Sequence, residues 1–341
     1  MDNKKKTYAV AMSGGVDSSV VAAILKDRGH DIFGITMYLH EYSKQAIDDA
    51  KKVCDFLGID HYVCDLREDF LNNVIDVFSD YYRNGLTPNP CVFCNRDIKM
   101  DRLLKFGLSK GADMMATGHY VRNFPLREHP NQKKDQSYFL SLVDKNNLKL
   151  IDFPLGDIFS KDITRELAKK YGIHVAEKKD SQDICFIPNN DHKSFLKRFI
   201  EDSRGKIIHI STNIVLGYHD GINNYTIGQR KGLGISYKNP LYIIDMDPKN
   251  NIIYVGEEEF LNIRELKIRD INWLIDKNTS EFQTTVKLRS SSKKNNAIVK
   301  VLDDKKSAII KLLENPITAI CKGQICAMYD DDIVVGAGII L

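Results

Sequence analysis

A loop rich in glycine and serine, residues 13–19, joins an apolar run to a helical pattern near the start of this 341-residue chain. The apolar run at residues 8–12 predicts a short buried strand, and residues 20–25, ended by Gly29, predict a buried helix face. Glycines at such a junction leave backbone N–H groups free to hold an anion at the positive end of the helix. The loop therefore predicts a strand–loop–helix unit with a phosphate site at its turn.

The alternation of strand and helix continues over the first 120 residues. Strands are predicted at residues 7–12, 32–38, 61–65 and 113–117, and helices at residues 17–28, 44–57, 68–84 and 96–109. Such alternation builds an α/β fold, a doubly wound parallel sheet with ligands outside the carboxyl ends of its strands. The phosphate loop, Met37 and residues 118–120 are then expected at one edge of the sheet.

The character of the chain changes after this region. Helical patterns at residues 163–171 and 193–200 are followed by short β-like runs at residues 206–210, 242–247 and 252–255. Further runs at residues 284–288, 297–302, 308–312, 325–329 and 333–340 predict a small all-β unit. Three domains are predicted: a catalytic domain at residues 1–203, a β-rich central domain at residues 204–266 and an all-β domain at residues 267–341.

Composition limits the classes of function. The net charge is only +3, and the whole excess falls within residues 267–341, where Lys287, Arg289, Lys293 and Lys294 cluster. Any RNA contact must therefore come from local patches rather than from overall charge. The N-terminus has no apolar segment behind its lysines, which predicts a soluble, cytoplasmic protein without membrane contact. An odd number of cysteines, seven, indicates reduced thiols.

Three of the cysteines stand in polar surroundings that favour chemistry. Two prolines before Cys91 and Cys94 predict a stiff loop, with Asn95 as the cap of a helix starting at Arg96. A thiol beside a helix N-terminus gains thiolate character, so Cys94 is a candidate nucleophile. Cys185 lies in a polar loop, residues 179–188. The other four cysteines are expected to be structural: Cys54, Cys64, Cys321 and Cys326.

The phosphate loop points away from kinase chemistry. No Walker string, which would need a lysine for the outer phosphates, occurs in the sequence. Residues 13–19 instead resemble the Ser-Gly-Gly-x-Asp-Ser loop of the N-type ATP pyrophosphatases, known as the PP-loop. The resemblance implies cleavage of ATP at its α-phosphate, which leaves AMP on an oxygen of the substrate.

Six motifs occur in the order seen in the bacterial tRNA-specific 2-thiouridylases, which the chain resembles along nearly its whole length. They are residues 13–19, Asn89-Pro90 with Cys94, residues 118–120, residues 134–138, Asp180-Ser181 with Cys185, and residues 225–234. The resemblance implies an N-terminal domain like the adenine nucleotide alpha hydrolases, a central domain that contacts tRNA and a C-terminal β-barrel.

The resemblance also implies a role for each matching residue. The ATP site would comprise Ala11, Met12, Ser13, Gly14, Gly15, Val16, Asp17, Ser18, Met37 and Gly118, with Asp17 near the phosphates and Mg²⁺. Cys94 would be the nucleophile, and Cys185 would carry the persulfide. Asn89, Pro90 and Cys91 would face the target base. The remaining tRNA contacts would be His119, Lys134, Asp135, Gln136, Arg289, Ser290 and Gln324.

The implied reaction is ATP-dependent 2-thiolation of the wobble uridine in the tRNAs for lysine, glutamate and glutamine. The base carbonyl would be adenylated, and sulfur from a cysteine persulfide would replace the oxygen. A cysteine desulfurase or a sulfur-relay protein would supply the sulfur, and the enzyme is expected to be a monomer.

Alternatives remain open at the cysteines. Cys91, Cys94 and Cys185 form a three-thiolate set that could hold an iron–sulfur cluster or, with a fourth ligand, zinc. A PP-loop tRNA thiolase or amidotransferase that uses a cluster is therefore the alternative function. Cys91 stands where many relatives have aspartate, which leaves an acid–base role at this position in doubt. An amidotransferase or small-molecule ligase would have no use for Cys94 and Cys185. An RNA-binding regulator predicts damage to the phosphate loop, which is intact.

Overall fold

The computed structural model describes residues 4–173, 184–314 and 316–341, so the predicted motif residues Asp180 and Ser181 lie outside the described residues. Five parallel strands form the N-terminal sheet in the order β3-β2-β1-β4-β5. These strands are β1 (Thr7–Ala11), β2 (Asp31–Tyr38), β3 (His61–Asp65), β4 (Met114–Ala116) and β5 (Ile151–Asp152). The predicted parallel sheet is confirmed. Sequence analysis missed β5, because two residues are too short for a recognisable pattern.

Both faces of this sheet are covered because side chains alternate along β1. Tyr8 and Val10 join a core beneath helix α1 (Val16–Asp27), whereas Ala9 joins the core on the opposite face. The other helical segments of the described residues are Glu41–Ser43, Lys44–Leu57, Arg67–Phe70, Leu71–Ile75, Asp76–Arg83, Pro90–Phe93, Cys94–Leu103, Leu104–Ser109, Ser137–Leu140, Lys145–Leu148, Lys161–Lys170, Pro188–Asn190, His192–Leu196, Ile222–Asn224 and Glu258–Leu261. No helix among the described residues is long and apolar enough to cross a membrane.

The expectation that prolines keep Cys91 and Cys94 on a loop is wrong. A helix begins at Pro90, with Asn89 as its N-cap, and it continues without a break through Cys94–Leu103 and Leu104–Ser109. We call this continuous segment the cysteine helix. Proline is tolerated at a first helical position because the N–H that it lacks has no partner there in any case. The middle part, Cys94–Leu103, is a π-helix, a rare and wide form that is frequently found at functional sites.

The rest of the chain is rich in β-structure. The central sheet contains Gly205–His209, Val215–His219, Tyr242–Asp247 and Ile252–Gly256. A closed barrel follows, as predicted, and its strands are Glu265–Trp273, Glu281–Lys287, Asn295–Val301, Ala308–Leu312, Ile325–Asp330 and Ile333–Ile340. Asn262–Ile263 and Ile317–Thr318 pair as a small separate ladder.

The barrel packs directly on the catalytic domain. Tyr329 and Ile325 of the barrel belong to the same buried cluster as Phe93 and Cys94 of the cysteine helix. The hydroxyl of Tyr138, which is buried, donates a hydrogen bond to the Ile325 carbonyl at 3.0 Å. Barrel and nucleophile therefore share one apolar core.

Candidate adenylation and sulfur-transfer site

The phosphate loop is shaped by its own hydroxyl groups. The Ser13 N–H donates to Ser18 Oγ at 3.2 Å, and the Ser18 and Ser19 hydroxyls donate to the Gly15 carbonyl at 3.2 Å and 2.8 Å. Gly14 has φ +66°, and a Cβ on it would lie 2.6 Å from the Ala46 carbonyl oxygen. Only glycine fits there, which explains the pattern that sequence analysis read as a phosphate loop.

Asp17 lies in a buried polar cluster beside this loop. Its carboxylate accepts a hydrogen bond from Tyr120 Oη at 2.8 Å and forms an ion pair with Lys161 Nζ at 2.5 Å. The Tyr120 hydroxyl also lies 2.8 Å from Thr164 Oγ1. A Cβ on Gly118 would lie 2.9 Å from the Cβ of Asp17, so β1 and β4 bring these two predicted ATP-site residues together.

Sequence analysis missed Lys161 and Thr164 as site residues, and it included Tyr120 only within the motif at residues 118–120. Lys161 is 9% exposed and begins the helix Lys161–Lys170, more than a hundred residues from the loop. Sequence alone could not reveal this role, because the burial of a lysine depends on the tertiary structure. One carboxylate of this cluster together with phosphate oxygens is the oxygen donor set that Mg²⁺ prefers, so Asp17 fits the predicted ion.

Cys94 is a buried thiol at the start of the π-helical part of the cysteine helix. It is 7% exposed, and burial raises the pKa of its thiol to about 12. The expectation that the helix N-terminus makes Cys94 a ready thiolate is therefore wrong for the free protein. Asn95 does not cap a helix; its side-chain amide donates to the Phe139 carbonyl at 3.1 Å.

Cys91 and Cys185 are exposed at the surface, but protein atoms shield part of each thiol from water. This shielding raises the pKa of both thiols. Phe186, the neighbour of Cys185, packs against the rings of Phe70 and Phe78 and anchors the Cys185 segment to the catalytic domain. Burial is the main cause of the raised pKa of Cys94, and Cys185 and Cys91 raise it further because they lie within range of an electrostatic interaction with it. The structure thus brings the three predicted thiols together.

Lys99 is a further site residue that sequence analysis missed. Its charge lowers the pKa of all three thiols and also that of His119, which burial and Lys99 lower to about 3. In an α-helix, residues five apart do not share a face, whereas π-helical hydrogen bonds join residues five apart. The π-helix therefore turns Lys99 toward the face of Cys94.

Most of the predicted tRNA contacts in the catalytic domain already have hydrogen-bond partners within the protein. Asp135 and Gln136 have internal partners: the Asp135 carboxylate accepts hydrogen bonds from the His129 N–H at 3.0 Å and Ser137 Oγ at 2.8 Å, and Gln136 accepts one from the Tyr120 N–H at 2.9 Å. Lys134 is half-buried, with no side-chain hydrogen bond or ion pair recorded among the described residues. His119 Nδ1 lies 2.9 Å from Thr117 Oγ1.

The basic cluster of the barrel is largely occupied by the fold itself. Lys287 is buried near Asp135, and Lys294 forms an ion pair with the buried Glu128. The Arg289 guanidinium donates to the Ala319 carbonyl and lies 3.2 Å from Cys321 Sγ. Ser290 is half-buried, and Lys293 is exposed. Lys294 therefore serves the fold, whereas the exposed Lys293 stays a candidate for RNA contact.

The remaining thiols agree with the prediction of structural roles. The cysteines in question are all buried: Cys54, Cys64, Cys321 and Cys326. Within residues 4–173, 184–314 and 316–341, no group of three His, Cys, Asp or Glu side chains is arranged to hold a metal ion. The three candidate thiols are thus not arranged as a metal site, and the alternative of an iron–sulfur cluster has no support among the described residues.

Three family models match consecutive parts of the chain. They are described as the tRNA methyl transferase HUP domain at residues 6–189, the tRNA methyl transferase PRC-barrel domain at residues 193–257 and the aminomethyltransferase beta-barrel domain at residues 263–340. The tRNA-specific 2-thiouridylase MnmA of Rickettsia conorii is 45% identical over 99% of this chain and 96% of its own length. That of Rickettsia massiliae is also 45% identical, over 99% and 97%.

The solved structures that match the chain are more distant. A predicted tRNA methyltransferase subunit from Methanocaldococcus jannaschii is 20% identical, with a TM-score of 0.34, over 48% of this chain and 74% of its own. An NAD synthetase from Campylobacter jejuni is 17% identical, with a TM-score of 0.33, over 51% and 67%. These likenesses are too weak to carry an argument about function.

Proposed function

Because the chain belongs to the family of tRNA-specific 2-thiouridylases, we propose that it replaces the 2-oxygen of a tRNA uridine by sulfur at the expense of ATP. One observation carries the proposal: a phosphate loop built on Gly14 and Ser18 shares a domain with a group of three thiols gathered around Lys99. Methyl transfer, which the descriptions of the family models name, has no use for either feature.

The first half-reaction takes place at the phosphate loop. The backbone N–H groups of residues 13–16 hold the phosphates at the N-terminus of α1. Asp17 would hold Mg²⁺ together with the phosphates, and the ion would supply positive charge for the leaving pyrophosphate. The uridine 2-oxygen attacks the α-phosphorus and pyrophosphate leaves. This step converts the carbonyl oxygen into the good leaving group AMP. Lys161, paired with Asp17 in the free protein, is the cation nearest to the loop's carboxylate.

The second half-reaction uses the cysteines. The terminal sulfur of a Cys185 persulfide attacks C2 of the adenylated base, and AMP leaves. Cys94 then attacks Cys185 Sγ, the base keeps the terminal sulfur, and a Cys94–Cys185 disulfide forms. Alternatively, Cys94 attacks the persulfide first and frees hydrosulfide, which attacks C2. Either route oxidises two thiols, so an external dithiol must reduce the disulfide before the next turnover.

Lys99 serves this chemistry as a fixed positive charge. Burial keeps the pKa of Cys94 at about 12, and the Lys99 ammonium favours the anionic form of the thiol against the still larger rise that burial alone would cause. Cys91 faces the same charge and lines the base pocket with Asn89 and Pro90. The uridine must be flipped out, since a stacked base presents neither its carbonyl nor C2 to a protein pocket.

The partners follow from this chemistry. The substrate is proposed to be the wobble uridine of the tRNAs for lysine, glutamate and glutamine, and a cysteine desulfurase or sulfur-relay protein delivers sulfur to the exposed Cys185. Lys134, His119, Ser290 and the exposed Lys293 remain available for tRNA contacts, and Arg289 becomes available when it releases the Ala319 carbonyl. The protein is proposed to act as a cytoplasmic monomer.

Product analysis tests the proposed function. The purified protein is incubated with ATP, Mg²⁺, a sulfur donor and unmodified tRNA, and the nucleotides and digested nucleosides are separated. We expect AMP and pyrophosphate, formed only with tRNA, together with 2-thiouridine. ADP and phosphate as products, or iron content that tracks activity in anaerobic preparations, would contradict the proposal.

A further inference from the structure

One segment of the barrel, residues 319–324, lies against the entry to the cysteine helix. The Thr87 N–H donates to the Lys322 carbonyl at 2.8 Å, and the Gln324 side-chain amide donates to the Thr87 carbonyl at 2.7 Å. Both backbone polar groups of Thr87 are thus satisfied by the barrel. Thr87 is only two residues before Asn89, the N-cap of the cysteine helix.

The contact leaves no room for a side chain. Gly323 has φ +91°, and a Cβ on it would lie 3.0 Å from both Leu86 Cβ and Tyr81 Cδ1 and 3.1 Å from the Thr87 nitrogen. The Gly323 N–H donates to the Ile340 carbonyl at 2.8 Å, which fixes the segment to the last strand of the barrel. Barrel and catalytic domain therefore meet backbone to backbone at this point.

The same segment is held from two further directions. Arg289 of the barrel donates to the Ala319 carbonyl, and Lys322 Nζ pairs with Asp245 of the central sheet at 2.8 Å. A Cβ on Gly228, in the motif at residues 225–234, would lie 2.5 Å from the Cβ of Ala319. Ala319 itself has φ +56°, a strained conformation for a residue with a Cβ. Residues 319–324 thus contact all three predicted domains.

We propose that residues 319–324 position the cysteine helix, and that tRNA bound at Arg289 acts on Cys94 through this segment. Arg289 touches Ala319 at one end of the segment, and Gly323 and Gln324 touch the entry to the helix at the other end. A shift of Arg289 toward an RNA phosphate would release the Ala319 carbonyl and move the support of Thr87. This inference rests on the proposed function for the role of tRNA, and on geometry alone for the positioning of Cys94.

Gly323→Ala tests the positioning because it removes no predicted tRNA contact. The matched control is Gly29→Ala, since Gly29 has a similar φ of +82° but nothing within 4 Å of its Cβ position. Alkylation of each cysteine is followed by mass spectrometry, with and without tRNA. In Gly323→Ala, we expect Cys94 to react at least about fivefold faster, with the buried Cys54 and Cys326 unchanged.

The kinetic expectation follows from the same displacement. A misplaced nucleophile costs about 10- to 100-fold in rate, so Gly323→Ala should lower kcat for thiolation by this factor and leave KM for ATP unchanged. Binding of tRNA should alter the alkylation rate of Cys94 in the wild type and much less in Gly323→Ala. Gly29→Ala should match the wild type in every measurement.

Two results would overturn the inference. One is a wild-type alkylation rate and kcat in Gly323→Ala, and the other is equal acceleration of all buried cysteines, which would indicate general loosening of the fold. The readout also separates the two proposals. If the wild type makes no 2-thiouridine but Cys94 alone responds to Gly323→Ala, the proposed function fails while the positioning by the barrel stands.

Discussion

Two adjacent lysines of the barrel, Lys293 and Lys294, provide the sharpest test of which charges serve the fold and which serve RNA. Lys294 Nζ pairs with Glu128, lies 2.6 Å from the Asp331 carbonyl and sits 4.5 Å from the centre of the Tyr329 ring. The Glu128 side chain is 3% exposed, whereas Lys293 is exposed. We expect Lys294→Met to destabilise the protein and Lys293→Met to leave its stability unchanged.

The magnitude follows from burial. Removal of one partner of a buried ion pair costs about 3 to 5 kcal/mol, and loss of a cation–π contact adds about 1 kcal/mol. Lys294 is partly exposed and Glu128 can take up a proton, which reduces the cost. We therefore expect the free energy of unfolding to fall by about 2 to 4 kcal/mol in Lys294→Met. For Lys293→Met, we expect a change within about 0.5 kcal/mol.

The loss of stability in Lys294→Met should depend on pH, and the direction follows from the pKa of Glu128. Burial raises the pKa of Glu128 above its ordinary 4.5, and Lys294 opposes the rise. Without Lys294 the folded-state pKa of Glu128 rises further. The part of the loss that comes from the ion pair is therefore absent where Glu128 is protonated in the folded and unfolded states, and it grows as the pH rises through the folded-state pKa. The deficit of Lys294→Met should therefore be larger near about pH 8 than near about pH 5.

Urea unfolding of the two variants, followed by circular dichroism at both pH values, measures these differences. Glu128→Gln in the Lys294→Met background should restore part of the stability, because a neutral amide needs no counter-charge. Binding of tRNA should lose about one unit of salt slope in Lys293→Met if that lysine contacts a phosphate. Equal stability of the two lysine variants, or a deficit that does not change with pH, would refute the reasoning.

Three further predictions concern the reaction itself. Cys94→Ser and Cys185→Ser should each abolish thiolation while ATP still binds, whereas Cys54→Ser should remain active; an active Cys185→Ser variant would remove the persulfide assignment. Lys161→Gln should weaken ATP binding by about 10- to 100-fold, because a charge-assisted contact contributes about 1.5 to 3 kcal/mol. Calorimetry without tRNA measures this affinity, and an unchanged value would show that Lys161 does not contribute to nucleotide binding. The alkylation rate of Cys94 in the free protein should rise about tenfold per pH unit, without a plateau below about pH 10. The reason is that burial raises the pKa of this thiol to about 12 and only the thiolate reacts. A plateau near neutral pH would contradict this prediction, because it would show that the thiolate is already present.

The sequence was sufficient for features that depend on local order along the chain. The parallel sheet follows from alternating strand and helix patterns, and the phosphate loop follows from Gly14, whose left-handed backbone admits no side chain. The run of short alternating strands predicts a small all-β unit, and the resemblance to the 2-thiouridylases implies its closure into a barrel. The start of the cysteine helix was misjudged because Pro90 was read as a helix breaker, although a first helical position tolerates proline.

Only the tertiary structure decided which distant residues meet. Lys161 reaches Asp17, and Lys294 reaches Glu128, across separations that no periodic pattern encodes. The state of Cys94 was likewise undecidable from its neighbours in sequence, since burial outweighs the helix terminus in setting the pKa of its thiol. Local sequence fixes backbone conformation through short-range sterics and periodicity, whereas charge pairing and desolvation depend on the three-dimensional surroundings that the whole chain creates.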